Sequence, residues 1–425
     1  MAFLKSLSAG VTGLQNFTTM MDIIGNNVAN INTIGFKGSR VNFGELFSQT
    51  LRCATQSNAN SGGTNPVQVG LGASIMSIDS NFKQGVIEAT GNDSDLAIEG
   101  SGLFVVKRGS KSFYTRVGAF ERDANGTLVM KGTGAIVQGR LANAQGTIPA
   151  GASPQDILID VTRKSAPLAT GIVKMSGNLD ASAATYVPAA AGPPIVVESG
   201  GKTTSTFSVF DSLGNKRALT VTMTKNATAN KWDYTVKDAA GVSVGTAGAA
   251  LTFNNDGSVA TGSPAALPAI VLTNGAASLN VTLDFSTLTQ TQGTALVTPS
   301  EISGYASGDM TSWGIDQNGF IAASFTNGQV LKLGQIVLAV SNNPAGLMRM
   351  GDGLYDVSPN SGTVTIISPG SESGSKIYSG SLEQSNVDLP EEFTRMIIAQ
   401  RGFQANSRVI TTSDEILNEV VNLKR

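Results

Sequence analysis

The sequence predicts a multidomain chain: an α-helical, coiled-coil-like terminal domain built from both chain ends, plus mainly-β outer domains. Three observations lead there. Apolar residues near the start recur at helical spacing as Leu4, Leu7, Val11, Leu14, Met21, Ile24 and Val28. A second stripe closes the chain as Phe393, Met396, Ile397, Phe403, Ile410, Leu417, Val420 and Leu423. Between them lies a Gly-, Thr- and Ser-rich stretch with β-branched runs and turn signals. Stripes of this kind must be buried, and the obvious first partner of each is the other.

Composition narrows the setting. At 425 residues the chain exceeds one ordinary core, so several domains are expected. Charged residues make up 14%, against about 25% in a typical soluble domain. From Met1 to Phe36 only Lys5 and Asp22 are charged, where a solvated helix face carries several. A helix this short of charge suits a packed assembly of many copies better than water. The net charge of −2 offers no case for nucleic acid or an anionic membrane, and no apolar run is long enough for membrane insertion. The single cysteine, Cys53, rules out an intrachain disulfide, which suits a reducing compartment or an exported chain that must stay unlinked. The start lacks the charged, apolar and small-residue pattern of a secretory leader, so no cleaved signal is expected.

The elements follow in order. Residues 3–30 read as helix, weakened at Gly25-Asn26-Asn27 and ending near Ile34-Gly35. Residues 31–90 form a connecting segment, with Phe36, Phe43 and Phe47 as spaced apolar anchors and a flexible loop at 57–63. Residues 91–148 and 300–385 share a style of short strands and Asp-x-Asn-Gly turns, at Asp123 and Asp316, and are expected to form one discontinuous β domain. Residues 149–299 read as an inserted outer β domain, with strands such as Thr206–Phe210 and Leu219–Met223 and breaks at 189–194 and 261–264. The terminal helical domain takes residues 1–30 with 386–425. Asp388 is placed to cap the closing helix, Glu391 stands at capping-box spacing, and Lys424 and Arg425 suit the negative end of its dipole. Gln400, Ser407 and Asp414 interrupt a strict heptad seam, so the stripe must face more than one neighbour.

Catalysis is poorly supplied. With no histidine, Ser-His-Asp and Cys-His systems and histidine metal sites are excluded. Gly241–Gly245 matches the nucleophile-elbow pattern by letter but lies in a strand context without a base. Ser373–Lys376 matches S-x-x-K in a Gly/Ser loop, not at a helix start. The Asp-x-Asn-Gly turns lack the rest of a calcium-loop ligand series. Cys53 has no second Cys or His beside it and reads as buried or incidental. A hydrolase built on Asp309, Asp316 and Asp352 is a competing reading, but acids near turns are mostly turn formers. No catalytic, cofactor-binding or metal-ligating residue is assigned.

The ends carry a resemblance. Met21-Asp22-Ile23-Ile24-Gly25-Asn26-Asn27-Val28-Ala29-Asn30, running on to Gly35-Phe36-Lys37, is similar to the N-terminal signature of bacterial flagellar rod and hook proteins. Ser385-Asn386-Val387-Asp388-Leu389 and Ala399-Gln400-Arg401-Gly402-Phe403-Gln404-Ala405-Asn406-Ser407 resemble their C-terminal signature. Asp95–Phe104 and Tyr114–Gly118 also recur in this group. The insert, with Phe210-Asp211-Ser212-Leu213-Gly214-Asn215, resembles hook members more than the shorter distal rod members. The resemblance implies a homopolymer whose terminal helices line an inner tube and whose β domains build the outer shells. It implies passage through the flagellar export apparatus without a cleaved leader, to an extracellular position. Its implied partners are a hook cap protein, the distal rod protein and the hook–filament junction protein. A distal rod subunit is the near alternative, and a secreted surface β adhesin is the alternative from another class.

Overall fold

The computed structural model describes residues 2–56, 62–149, 151–189, 198–244, 249–272, 274–370 and 374–422; of Leu4 and Val420 only the backbone is described. Leu423, Lys424, Arg425, Gly245, Ser373, residues 57–61 and most of the 189–194 break lie outside the described residues. One long helix stands at each end, α1 (Ala2–Ala29) and α2 (Leu389–Asn422), and the chain between them is β. Two compact units emerge: residues 1–160, 313–322 and 332–425 form the first, residues 161–312 and 323–331 the second. The helices, the connecting segment and the first β domain thus share one unit. The second unit starts later than the 149–299 expected for the insert, because Gln155–Asp156 pairs with Gly139 and Gln138 of the first, and it also takes in residues 300–312 and 323–331.

In the first unit the strand Leu103–Arg108 is the hub. It pairs antiparallel with Lys111–Thr115, with Ile136–Leu141 and with Leu338–Ser341. Residues 139–141 pair in turn with residues 334–336, which joins chain segments far apart in sequence. Leu96, Ile98, Phe104, Phe120, Leu128, Val137, Leu338 and Ile377 are fully buried there, with Phe104 and Phe120 edge to face at 5.0 Å. Both expected turns form through their aspartates. Asp123 Oδ1 accepts from the N–H groups of Asn125 and Thr127, and Asp316 Oδ1 from those of Asn318 and Phe320. Carboxylates occupied in this way are turn chemistry.

The second unit is a sandwich. Its five-stranded sheet is a meander running Lys202–Phe210, Lys216–Lys225, Lys231–Asp238, Ala250–Phe253 and Val259–Thr261. The other sheet pairs Ile172–Asp180 in parallel with Thr282–Thr291 and antiparallel with Leu296–Ile302. Alternate residues of both sheets, among them Met175, Val209, Val221, Trp232, Leu283 and Phe285, make one core. Asp211 is buried at the turn after the first meander strand. Burial works against its charge, but donors from Asn274, Asn215 and Leu213 outweigh that and hold its carboxyl down at about 2.

The connecting segment contains two ribbons, Ser39–Glu45 with Ala73–Ser80 and Ser48–Arg52 with Val67–Gly70. The expected apolar anchors divide here. Phe36 is half-buried, but Phe43 is exposed and Phe47 more so, at 86%. Phe43 still meets Phe17 of α1 at a tilt, with 6.2 Å between ring centroids. Cys53 is exposed, not buried.

Candidate functional site

Helix α1 forms because its 28 residues lack proline and keep their apolar period, although no acidic residue supports its first turn. Helix α2 starts at the cap foreseen for it: Asp388 Oδ1 accepts from the Glu391 N–H at 3.3 Å. Glu391 itself turns outward to Arg395 at 2.5 Å, the residue one turn on.

The two helices pack on each other through small residues. A methyl group at Gly13 would stand 2.7 Å from Asn406, and one at Gly402 would stand 2.4 Å from the Phe17 ring. Ala399 is fully buried, and Ser6 and Ser413 face each other at 3.5 Å. Small side chains let two backbones approach closely, and the gain is dispersion contact along both rods. On its other side α1 meets the first ribbon: Asn16 donates to the Ala73 carbonyl, and Asn27 exchanges two hydrogen bonds with the backbone of Ser39.

This seam sorts the two apolar stripes. Ile24 is buried, and Leu7, Leu14, Met21, Val28, Met396, Ile410 and Leu417 are partly covered. Val11, Phe393, Ile397 and Phe403 are exposed, Ile397 by 58%. Leu4 and Val420 lie in the helices with side chains outside the described residues, as is all of Leu423. Apolar periodicity alone missed the close-contact residues Gly10, Gly13, Ala399, Gly402 and Asn406. Their signal was present as small residues three or four apart, Gly10/Gly13 and Ala399/Gly402. It also missed exposed Ile398, Val409, Ile416 and Val421.

Where both helices join the β domain, charge is buried. Lys37 Nζ donates to Glu383 Oε1 at 2.7 Å and to the Lys83 carbonyl at 2.8 Å, and neither Lys37 nor Glu383 has exposed surface. The Gly85 N–H also donates to Oε1 at 2.7 Å, and Arg116 stands 3.4 Å from Oε2. Burial lowers the proton affinity of Lys37 and of Arg116, with Glu383 pulling the other way in both. Arg116 donates to the carbonyls of Ile98 and Gly100, and Arg349 to that of Lys37. Gly35 donates to the Glu383 carbonyl at 2.8 Å with φ of 66°, and a side chain there would strike the Arg116 backbone at 2.9 Å. The node ties the exit of α1, the approach to α2 and the β domain together.

The three aspartates of the hydrolase reading are each engaged separately. Asp309 pairs with Lys164 at 3.1 Å, Asp352 lies 3.9 Å from Arg108, and Asp316 holds its turn. Among the described residues no cluster of three or more metal-ligating side chains occurs, and no helix is long and apolar enough to cross a membrane.

Comparison with known proteins places these features. Four family models match in chain order: Flagella basal body rod protein over 7–37, Flagellar hook protein FlgE/F/G D1 domain over 97–163, Flagellar basal body protein FlaE D2 domain over 178–305, and Flagellar basal body rod FlgEFG protein C-terminal over 378–423. The chain is 39% identical to the flagellar hook protein FlgE of Treponema pallidum, over 99% of its own length and all of the relative's. It is 37% identical to that of Borreliella burgdorferi over the same shares. The crystal structure of Helicobacter pylori flagellar hook protein FlgE2 superposes on 70% of this chain and all of that one, with a TM-score of 0.51 at 15% identity, a likeness of fold. With matched ends, matched β domains and full-length identity above three residues in ten, the chain belongs to the flagellar hook protein family, whose members are structural proteins and not enzymes.

Proposed function

We propose that this chain is the structural subunit of a bacterial flagellar hook, polymerising into a flexible helical tube that carries motor torque from rod to filament. The observation that carries the reading is the division within the terminal helices. One chain spends its small residues on the α1–α2 seam and leaves Phe393, Ile397, Ile398, Val409 and Ile416 of α2 exposed. Apolar side chains spread along a long rod find burial when other copies surround it. In this reading the helices line the inner tube as a coiled-coil-like layer, and the two β units form the outer shells.

A curved rotating tube makes each subunit lengthen and shorten along its row once per turn. Rigid β cores can meet that demand by sliding at their outer contacts while their interiors stay packed. Few charges at those contacts mean few ion pairs to break at each step. The second unit is assigned the control of curvature. The hook cap, distal rod and hook–filament junction proteins are the proposed partners at either end of the tube. The flagellar export apparatus is the proposed route out.

Electron microscopy of the purified protein under polymerising conditions tests this. Tubes are expected, with the terminal helices digestible by protease in the monomer and protected in the polymer. A chain that stays monomeric with protected ends overturns it.

A further inference from the structure

The ribbon Ser48–Arg52 with Val67–Gly70 has two unlike faces. Thr50 and Gln68 are opposed in register and joined by a hydrogen bond of 3.0 Å on one. Val67 and Val69 alternate onto the other, where Val69 opposes Gln49 and Phe47 stands two residues before it. Leu51 sits at the bulge beside Val67. All four apolar residues are exposed, Phe47 by 86% and Leu51 by 59%. A two-stranded ribbon is marginal alone, and a bare apolar face on it is a cost that only a cover removes.

The same unit carries an apolar groove of about 840 Å³, floored by Ile34, Phe36, Val117, Met130 and Leu354. No ribbon residue lines it. Another cavity of the unit, about 560 Å³, is lined mainly by polar and charged residues, among them Arg40, Asp79, Lys83, Glu392 and Arg395, and suits a phenyl ring less well. Arg52 at the ribbon and Asp352 at the groove are of opposite charge, and the ion pair Asp352 makes among the described residues, with Arg108, is a loose one at 3.9 Å.

We propose that the ribbon lays its apolar face, led by Phe47, into this groove of a second copy of the chain. A projecting patch and a recess on different parts of one molecule cannot satisfy each other within it, but they do so head to tail in a one-component polymer. The inference rests on the polymer reading above and adds the contact that registers one subunit on the next.

Disulfide trapping tests it. In a Cys53→Ser parent, Phe47→Cys is combined with Thr133→Cys, at the groove, and the polymer is oxidised with copper–phenanthroline, which takes up the two electrons as two thiols lose their protons. Non-reducing electrophoresis should show a ladder of multimers, forming at least about tenfold faster than in dilute monomer because the thiols are held at high effective concentration. Mixed single variants should give dimers only. Polymers of parent and double variant without a ladder overturn the ribbon placement alone. A folded parent that does not polymerise overturns the reading beneath it as well. If the folded double variant alone fails to polymerise, Phe47→Leu and Phe47→Ser are compared in the parent. Polymer kept by Leu and lost with Ser supports the contact, and indifference to both overturns it.

Discussion

Lys37 and Glu383 stand 346 positions apart in the chain and meet at 2.7 Å with no exposed surface on either. A buried pair of this kind owes little to net attraction, because desolvation offsets most of it; its weight appears when one partner goes. Glu383→Ala should therefore destabilise the first unit by about 3–5 kcal/mol, since it leaves Lys37 and Arg116 facing each other uncompensated. Denaturant unfolding of the monomer measures this, and a loss under about 1 kcal/mol would mean that water reaches the node.

The helix seam makes the second prediction. Alanine normally favours a helix over glycine by about 1 kcal/mol. At Gly402 the added methyl meets the Phe17 ring at 2.4 Å, so Gly402→Ala should instead cost about 1–3 kcal/mol of overpacking. Hydrogen exchange should show α1 and α2 losing protection together while the β cores keep theirs. Stabilisation by the substitution would refute the close seam.

The exposed face of α2 behaves oppositely. Ile397→Glu should leave monomer stability within about 0.5 kcal/mol, because the side chain already faces water. Polymerisation, followed by light scattering, should fall steeply, since the carboxylate would be buried against a neighbour. Normal tubes from this variant would place the subunit contact elsewhere.

Asp211 predicts an acid response in the second unit. Its folded carboxyl titrates at about 2, below the ordinary 3.8, so its stabilisation is present above about pH 4 and is lost as pH falls towards 2. Asp211→Asn turns an amide donor towards the donors of Asn274 and Asn215 and should cost about 1–3 kcal/mol at neutral pH. The acid limb of the unfolding curve should flatten in the variant; an unchanged limb would assign it to other carboxylates.

Much of this was readable in the residues. Asp388 as a cap, the Asp123 and Asp316 turns and the extent of α1 depend on neighbours a few positions away, and local chemistry settles such features. The parallel pairing of Ile172–Asp180 with Thr282–Thr291 joins strands about a hundred residues apart, and no local pattern names that partner. Phe47 failed as an anchor for a related reason: an apolar residue states that it needs cover, not whose.

What the chain's order of residues decided alone is periodicity, capping, turn chemistry and the family signatures at both ends, all of short range. Which half of each apolar stripe one molecule keeps for itself, and where Lys37 finds Glu383, only the tertiary structure decided. Both depend on how closely Gly13, Gly402 and Gly35 let distant backbones approach, and that distance is a property of the packed chain.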